Sequence, residues 1–155
     1  MFLAMGYSND TKFETMIRNF QRWVARLIGD CKYLGLITEV DGRPVASAGL
    51  LILDWPPHLL DPAGERRGYV LNVFVESEYR RRGLASSLIE RCLAEARRRS
   101  IRVVALHASD AARHVYEAFG FRESNEMRYV EPLDEKPESA RQEDHGNPAS
   151  AVLPV

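Results

Sequence analysis

The chain has 155 residues, 45% of them hydrophobic and 28% charged, which is the size and balance of one globular domain able to bury its own core. Its 21 Lys and Arg against 22 Asp and Glu leave a formal net charge of −1, which excludes a general nucleic-acid binder held by counterion release. No apolar run approaches the roughly 20 residues that span a bilayer, since the longest, over residues 45–53, is interrupted by Ser47 and Gly49.

The first residues lack the basic region and apolar stretch of a secretory signal, and Cys31 and Cys92 belong to no CxxC or His/Cys ligand pattern. A reduced, cytoplasmic protein is the expected setting. His58, His107, His114 and His145 show no HExxH or His-x-His spacing, so no metal is expected.

Over residues 10–28, Phe13, Ile17, Phe20, Val24, Leu27 and Ile28 recur at three- and four-residue steps. That spacing predicts a helix ending near Gly29. Residues 33–40 and 44–53 read as strands joined by Asp41-Gly42, a pair that favours a tight antiparallel hairpin. Residues 54–68 hold Trp55-Pro56-Pro57, Asp61-Pro62 and Gly64 and are expected to form a surface loop.

Residues 69–76 predict a third strand, and Leu84, Leu88, Ile89, Cys92, Leu93 and Ala96 the buried stripe of a second helix. The short apolar run 101–106 is expected as a strand covered on both faces. Ser109 or Asp110 can cap a short helix reaching Phe119, stopped at Gly120. Residues 126–131 read as a last strand. The expected domain covers 1–132, and 133–155, rich in proline and charge, is expected as a mobile tail. The order of elements is that of an α/β domain with a mixed sheet.

The stretch most suggestive of chemistry runs Val73-Phe74-Val75-Glu76-Ser77-Glu78-Tyr79-Arg80-Arg81-Arg82-Gly83-Leu84-Ala85-Ser86. A strand passes through a basic turn into a helix, whose first N–H groups have no internal partner and sit at the positive end of the dipole. A phosphate fits such a place. Gly83 and Ala85 let the backbone approach it, while Arg80, Arg81 and Arg82 supply positive charge. The plainer reading is a solvated basic turn.

Strand, then Arg80-x-x-Gly83-x-Ala85, then an amphipathic helix, and later Ala112-x-x-x-Tyr116-x-x-x-Gly120-Phe121, resembles the GNAT superfamily of acetyl-CoA-dependent N-acetyltransferases. The resemblance runs from about Tyr33 to Tyr129 and implies a mixed, mostly antiparallel sheet flanked by helices, with acetyl-CoA as cosubstrate. It implies that the strand before the motif splays from its neighbour and pairs with the pantetheine arm through Val73 and Val75, with Phe74 between. It implies that Arg80, Arg81, Arg82, Gly83, Leu84, Ala85 and Ser86 take the pyrophosphate mainly through main-chain N–H groups. Tyr116 would then protonate the departing thiolate, as a phenol can; the alternative is a core tyrosine with a satisfied hydroxyl.

Two departures stand out. Many relatives carry Asn seven residues before the tyrosine, where this chain has Ser109, whose shorter hydroxyl either bonds the ligand or caps the helix. The family usually opens with an edge strand and a first helix, whereas this chain reaches an amphipathic helix within about ten residues of Met1. Either the start is late, or the edge beside Tyr33 is left open, covered by a partner or paired with the tail. An open edge would favour a homodimer, which sedimentation would reveal.

The implied reaction is direct transfer of acetyl to a primary amine of a small molecule or peptide, with a strand amide near Val73 to Val75 polarising the carbonyl. The general base stays unassigned: Asn72 cannot be one, Glu76 follows the strand, and an ordered water leading to a carboxylate or histidine would serve equally. His58, in the proline-rich loop, and His107, beside Ser109, are secondary candidates. Arg97, Arg98, Arg99 and Arg102 read as favourable cations at a helix C-terminus. A catalytically inactive acyl-CoA-binding module is the competing reading. Transfer to a protein lysine would need an acidic groove, which loop 54–67, with Asp54, Asp61 and Glu65 against Arg66 and Arg67, does not establish. The acceptor would be set by that loop and by residues 125–128.

Overall fold

The first apolar run forms helix α1, Thr11–Gly29, in a computed structural model that describes residues 11–130. The chain divides into two units after Arg122, and every element named here belongs to the first. α1 ends where the periodicity stops: Lys32 N–H bonds the Leu27 carbonyl at 2.8 Å, and Cys31 takes a positive φ of 56°. The chain then runs straight into β1, Tyr33–Val40, and turns at Asp41-Gly42, both with φ > 0, into β2, Arg43–Asp54. Positive φ at both turn residues matches the right-handed twist of the flanking strands, which is why this dipeptide makes the hairpin.

β3, Arg66–Val75, pairs antiparallel with β2, and β4, Val104–Leu106, pairs parallel with β3. Among the described residues the sheet has four strands in the order β1-β2-β3-β4. The expected loop 54–68 is shorter than its composition suggests, because Arg66, Arg67 and Gly68 join the ladder opposite Asp54, Leu53 and Ile52. The strand expected at 101–106 contracts to three half-buried residues, since only Gly68 to Val70 offer it a partner. Residues 126–130 form no strand, for a strand exists only as part of a ladder and none of the sheet's pairings extends to this segment. Glu131 and the expected tail 133–155 lie outside the described residues.

Helix α2, Leu84–Arg98, lies across one face of the sheet, and the expected stripe is its contact surface. Leu88, Ile89, Cys92 and Ala96 are buried against Ala46, Ala48, Leu50, Ile52 and Val70, with Leu84 and Leu93 at the margin. Burial raises the Cys92 thiol to about 11, which keeps it a protonated core group. The arginines that close α2 act locally. Arg98 and Arg99 both bond Glu95, at 2.7 and 2.5 Å, and Arg99 also reaches the Cys31 carbonyl at 2.6 Å, tying the helix end to the turn after α1.

Helix α3, Asp110–Glu117, follows β4 and presses Ala112 and Tyr116 into the same core. Ser109 occupies its N-cap position without a side-chain capping bond. Gly120, at φ 86°, ends the turn, and the Phe119 and Phe121 N–H groups fold back onto the Tyr116 carbonyl.

Candidate active site

The site is built where β3 outruns its neighbour. β4 pairs with β3 only from Gly68 to Val70, so from Leu71 to Val75 the strand has a partner on the β2 side alone. A bulge accompanies the parting: Ser47 stands opposite Phe74 and Gly49 opposite Leu71, which puts one extra residue on β3, and Asn72 takes φ 56° there. Val73 and Val75 lean on the α2 core. Phe74, paired with Ser47, points to the other face.

Beyond Val75 a single 3₁₀ turn, Ser77–Tyr79, leads into the basic segment. The three arginines divide their tasks. Arg80 turns its Nε back to the Val75 carbonyl at 3.2 Å, Arg81 adopts φ 59°, and the Arg82 guanidinium lies 5.2 Å from the centre of the Tyr79 ring. Gly83 then sits at φ 78°, ψ 0° as the N-cap residue of α2, and a Cβ placed on it would meet no atom within 4 Å. Arg80 is extended, with its N–H bonded to the Ser77 carbonyl at 3.3 Å, while Arg81 and Gly83 both take positive φ. The first N–H bonded into the helix is that of Ser87, to the Gly83 carbonyl at 3.0 Å. The donors of Leu84, Ala85 and Ser86 are thus left at the mouth of α2.

Tyr116 belongs to the buried core, against which Val73, Val75, Leu84, Leu106 and Ala112 pack. Its residue is only 7% exposed, its ring meets Phe121 edge-on at 6.1 Å, and burial raises the phenol above its ordinary value. The hydroxyl is therefore held in its protonated form at neutral pH. Ser109 is exposed ahead of the helix. The fold thus gathers Val73, Val75, Leu84, Ala112 and Tyr116 in one cluster and places Arg80 to Ser86 at its edge, while Phe74 and Ser109 stand outside the core.

Several residues escaped the motif reading. On the face opposite α2, the Asn72 amide donates to the Tyr33 hydroxyl at 3.2 Å, and Ser47 donates to the Asn72 carbonyl at 3.1 Å. Tyr69 and His107 are hydrogen-bonded through Oη and Nδ1. An Asn inside an otherwise apolar strand is the one sequence signal that could have marked the bulge. No group of three or more metal-binding side chains gathers among the described residues, and none of the helices there is long and apolar enough to cross a membrane.

The fold, with β3 and β4 parting just ahead of the start of α2, is shared with known acetyltransferases. The chain belongs to the acetyltransferase (GNAT) family, whose model matches residues 4–121. It is similar to a GCN5-related N-acetyltransferase from Ralstonia eutropha JMP134, with 30% identity over 85% of each chain and a TM-score of 0.74. A predicted acetyltransferase from Clostridium acetobutylicum, solved with acetyl-CoA, is 25% identical over 84% of this chain and 82% of that one, with a TM-score of 0.70. The glucosamine-6-phosphate N-acetyltransferase of Arabidopsis thaliana shares the fold, with a TM-score of 0.61 at 20% identity over 83% of each chain. Among curated protein sequences none matches this chain.

Proposed function

We propose that this protein transfers the acetyl group of acetyl-CoA directly to a primary amine of a small molecule or peptide, in a reducing, cytoplasmic setting. The observation that carries the reading is the parting of β3 from β4 directly ahead of the Arg80–Ser86 turn. The gap fits a pantetheine arm, which would bond the backbone of Val73 and Val75 beside Phe74 as a third strand would. The turn fits a pyrophosphate, with open space at Gly83 and donors from Gly83 to Ser86 converging on it. Arg81 and Arg82 would add charge around it. Ser109 and Ala112 would border the acetyl end.

In this reading an amide of β3 polarises the thioester carbonyl as negative charge develops on its oxygen. Tyr116 protonates the departing sulfur, a task suited to a phenol that burial keeps protonated. The acetyl-CoA seen with the Clostridium relative supports the choice of donor.

Calorimetric titration with acetyl-CoA tests this. Wild type is expected to bind at micromolar level and Gly83→Glu about 100-fold more weakly, because its carboxylate would face the pyrophosphate. Gly83→Asn, which tolerates positive φ without adding charge, is expected to stay within about tenfold of wild type. Absence of binding by wild type would overturn the reading. Binding without thiol release in a broad amine screen would favour the acyl-CoA-binding module instead.

A further inference from the structure

One face of the sheet is cut away to admit a side chain. Tyr33, Leu51 and Tyr69 form a row across β1, β2 and β3, and Trp23 of α1 packs edge-on against Tyr33 at 5.9 Å, so this row faces α1. The neighbouring row on the same face is Gly35, Gly49 and Leu71. Its glycines make room for the Tyr33 ring: a Cβ on Gly35 would stand 3.5 Å from the ring, and one on Gly49 would fall on the hydroxyl. Glycine inside a strand marks such a close approach. Tyr33 thus lies along the row from β1 and carries its hydroxyl across β2 to β3, where the Asn72 amide donates to it at 3.2 Å. Asn72 sits at the bulge with φ 56°, a conformation that asparagine tolerates better than most residues. It follows closely on Val70, the last residue of β3 paired with β4, and so stands on the rim of the gap. Its backbone carbonyl is held by Ser47 at 3.1 Å and its Nδ2 by Tyr33. Asn72 is half-buried, and its Oδ1 is not an enclosed atom.

We propose that Asn72 binds the acceptor amine, whose N–H donates to Oδ1, and that Tyr33 is its positioning residue. The inference rests on the acetyl-transfer reading above and supplies a contact for the acceptor. A carboxamide fixed through its nitrogen presents its oxygen in a set direction, and that oxygen accepts where the nitrogen can only donate. A neutral primary amine carries one lone pair and two N–H bonds. With one N–H on Oδ1, its nitrogen is held at the rim of the gap and its lone pair is left for the thioester carbon, which is the gain that orientation offers a bimolecular step. Asn72 takes up no proton in this role; it orients the amine. Burial raises the Tyr33 phenol, with the bond from Asn72 acting against that rise, so the hydroxyl that fixes the carboxamide stays protonated at neutral pH. Without that hydroxyl the carboxamide is released to turn, and its nitrogen can take the place of its oxygen.

Thiol release from acetyl-CoA with ethanolamine as the probe amine, run beside calorimetric titration with acetyl-CoA, tests this. Asn72→Gly accepts the positive φ and removes the carboxamide; it is expected to lower kcat/KM for the amine by about tenfold or more while acetyl-CoA affinity stays at the wild-type value. Asn72→Asp keeps an accepting oxygen and is expected to recover most of that loss. Tyr33→Phe is expected to lower kcat/KM for the amine by about fivefold, again with acetyl-CoA affinity unchanged. Wild-type kcat/KM in Asn72→Gly, or a loss in Asn72→Asp as large as in Asn72→Gly, overturns the proposal and leaves the acetyl-transfer reading standing. A fall in acetyl-CoA affinity that matches the fall in kcat/KM makes Asn72 a structural residue and overturns it too. So does a wild type that binds acetyl-CoA yet releases no thiol with the probe, because a contact that reads only an N–H admits any unhindered primary amine. Failure of wild type to bind acetyl-CoA overturns the acetyl-transfer reading and this inference together.

Discussion

The two faces of the sheet are built from similar material to different ends. Both helices that flank them carry an apolar stripe at helical spacing, yet α2 seals Leu88, Ile89, Cys92 and Ala96 almost completely, whereas α1 buries no residue fully. Phe13, Ile17, Phe20, Val24 and Leu27 of α1 remain half-exposed, and Ile28 is 52% exposed. Under α2 the sheet offers Ala46, Ala48, Leu50, Ile52 and Val70; towards α1 it offers Tyr33, Ser47, Asn72 and Tyr69, which hydrogen-bond to one another, to backbone or to His107. A face packed to full density resists change, while a polar, half-covered one can admit a ligand. The stability of the fold is concentrated on the first.

This division is testable first through the helices. Ile89→Ala should cost about 2–5 kcal/mol of unfolding free energy, because a fully enclosed side chain leaves a cavity. Ile17→Ala, on the half-exposed stripe of α1, should cost about 1 kcal/mol or less. Urea denaturation of both variants measures the contrast, and equal losses would erase it.

A middle-sized effect is expected at Gly49. A Cβ there would fall on the Tyr33 hydroxyl, so Gly49→Ala must displace the ring and its bond from Asn72. A loss of about 1–3 kcal/mol follows from such overpacking, and chemical denaturation reads it. Retained stability would show that the α1 face yields more readily than its hydrogen bonds suggest.

The smallest effect lies at the end of α2. The bonds from Arg98 and then Arg99 hold the Glu95 carboxyl down at about 2. A folded-state value below the ordinary 4.5 means that the contribution is fully present above that pH and disappears as pH falls towards about 2. Glu95→Gln should therefore narrow the difference in thermal stability between neutral and acid solution. An unchanged acid profile would remove Glu95 from the account.

Much of this was legible beforehand because it rests on local chemistry. The α1 and α2 stripes, the Asp41-Gly42 turn and the stop at Gly120 all depend on neighbours within a few residues. The basic turn before α2 was readable for the same reason, since a glycine at positive φ and a helix start are properties of consecutive residues. Tyr116 was visible as a candidate through its spacing to Gly120-Phe121. Its place in the core, with burial raising the phenol, required the packing of α3 on α2 and the sheet.

The remainder depended on residues far apart in the chain. Tyr69 and His107 lie 38 positions apart and Tyr33 and Asn72 lie 39, so nothing in their local sequence announces either pair. The strand expected at 126–131 joins no ladder over 126–130, and the one expected at 101–106 kept only the residues that β3 could match. Local order thus decided where helices and turns could form, because their hydrogen bonds close within a few residues. The extent of each strand, the bulge at Asn72, the gap between β3 and β4 and the face each side chain meets were decided by the tertiary structure, because a sheet's bonds are made with another part of the chain.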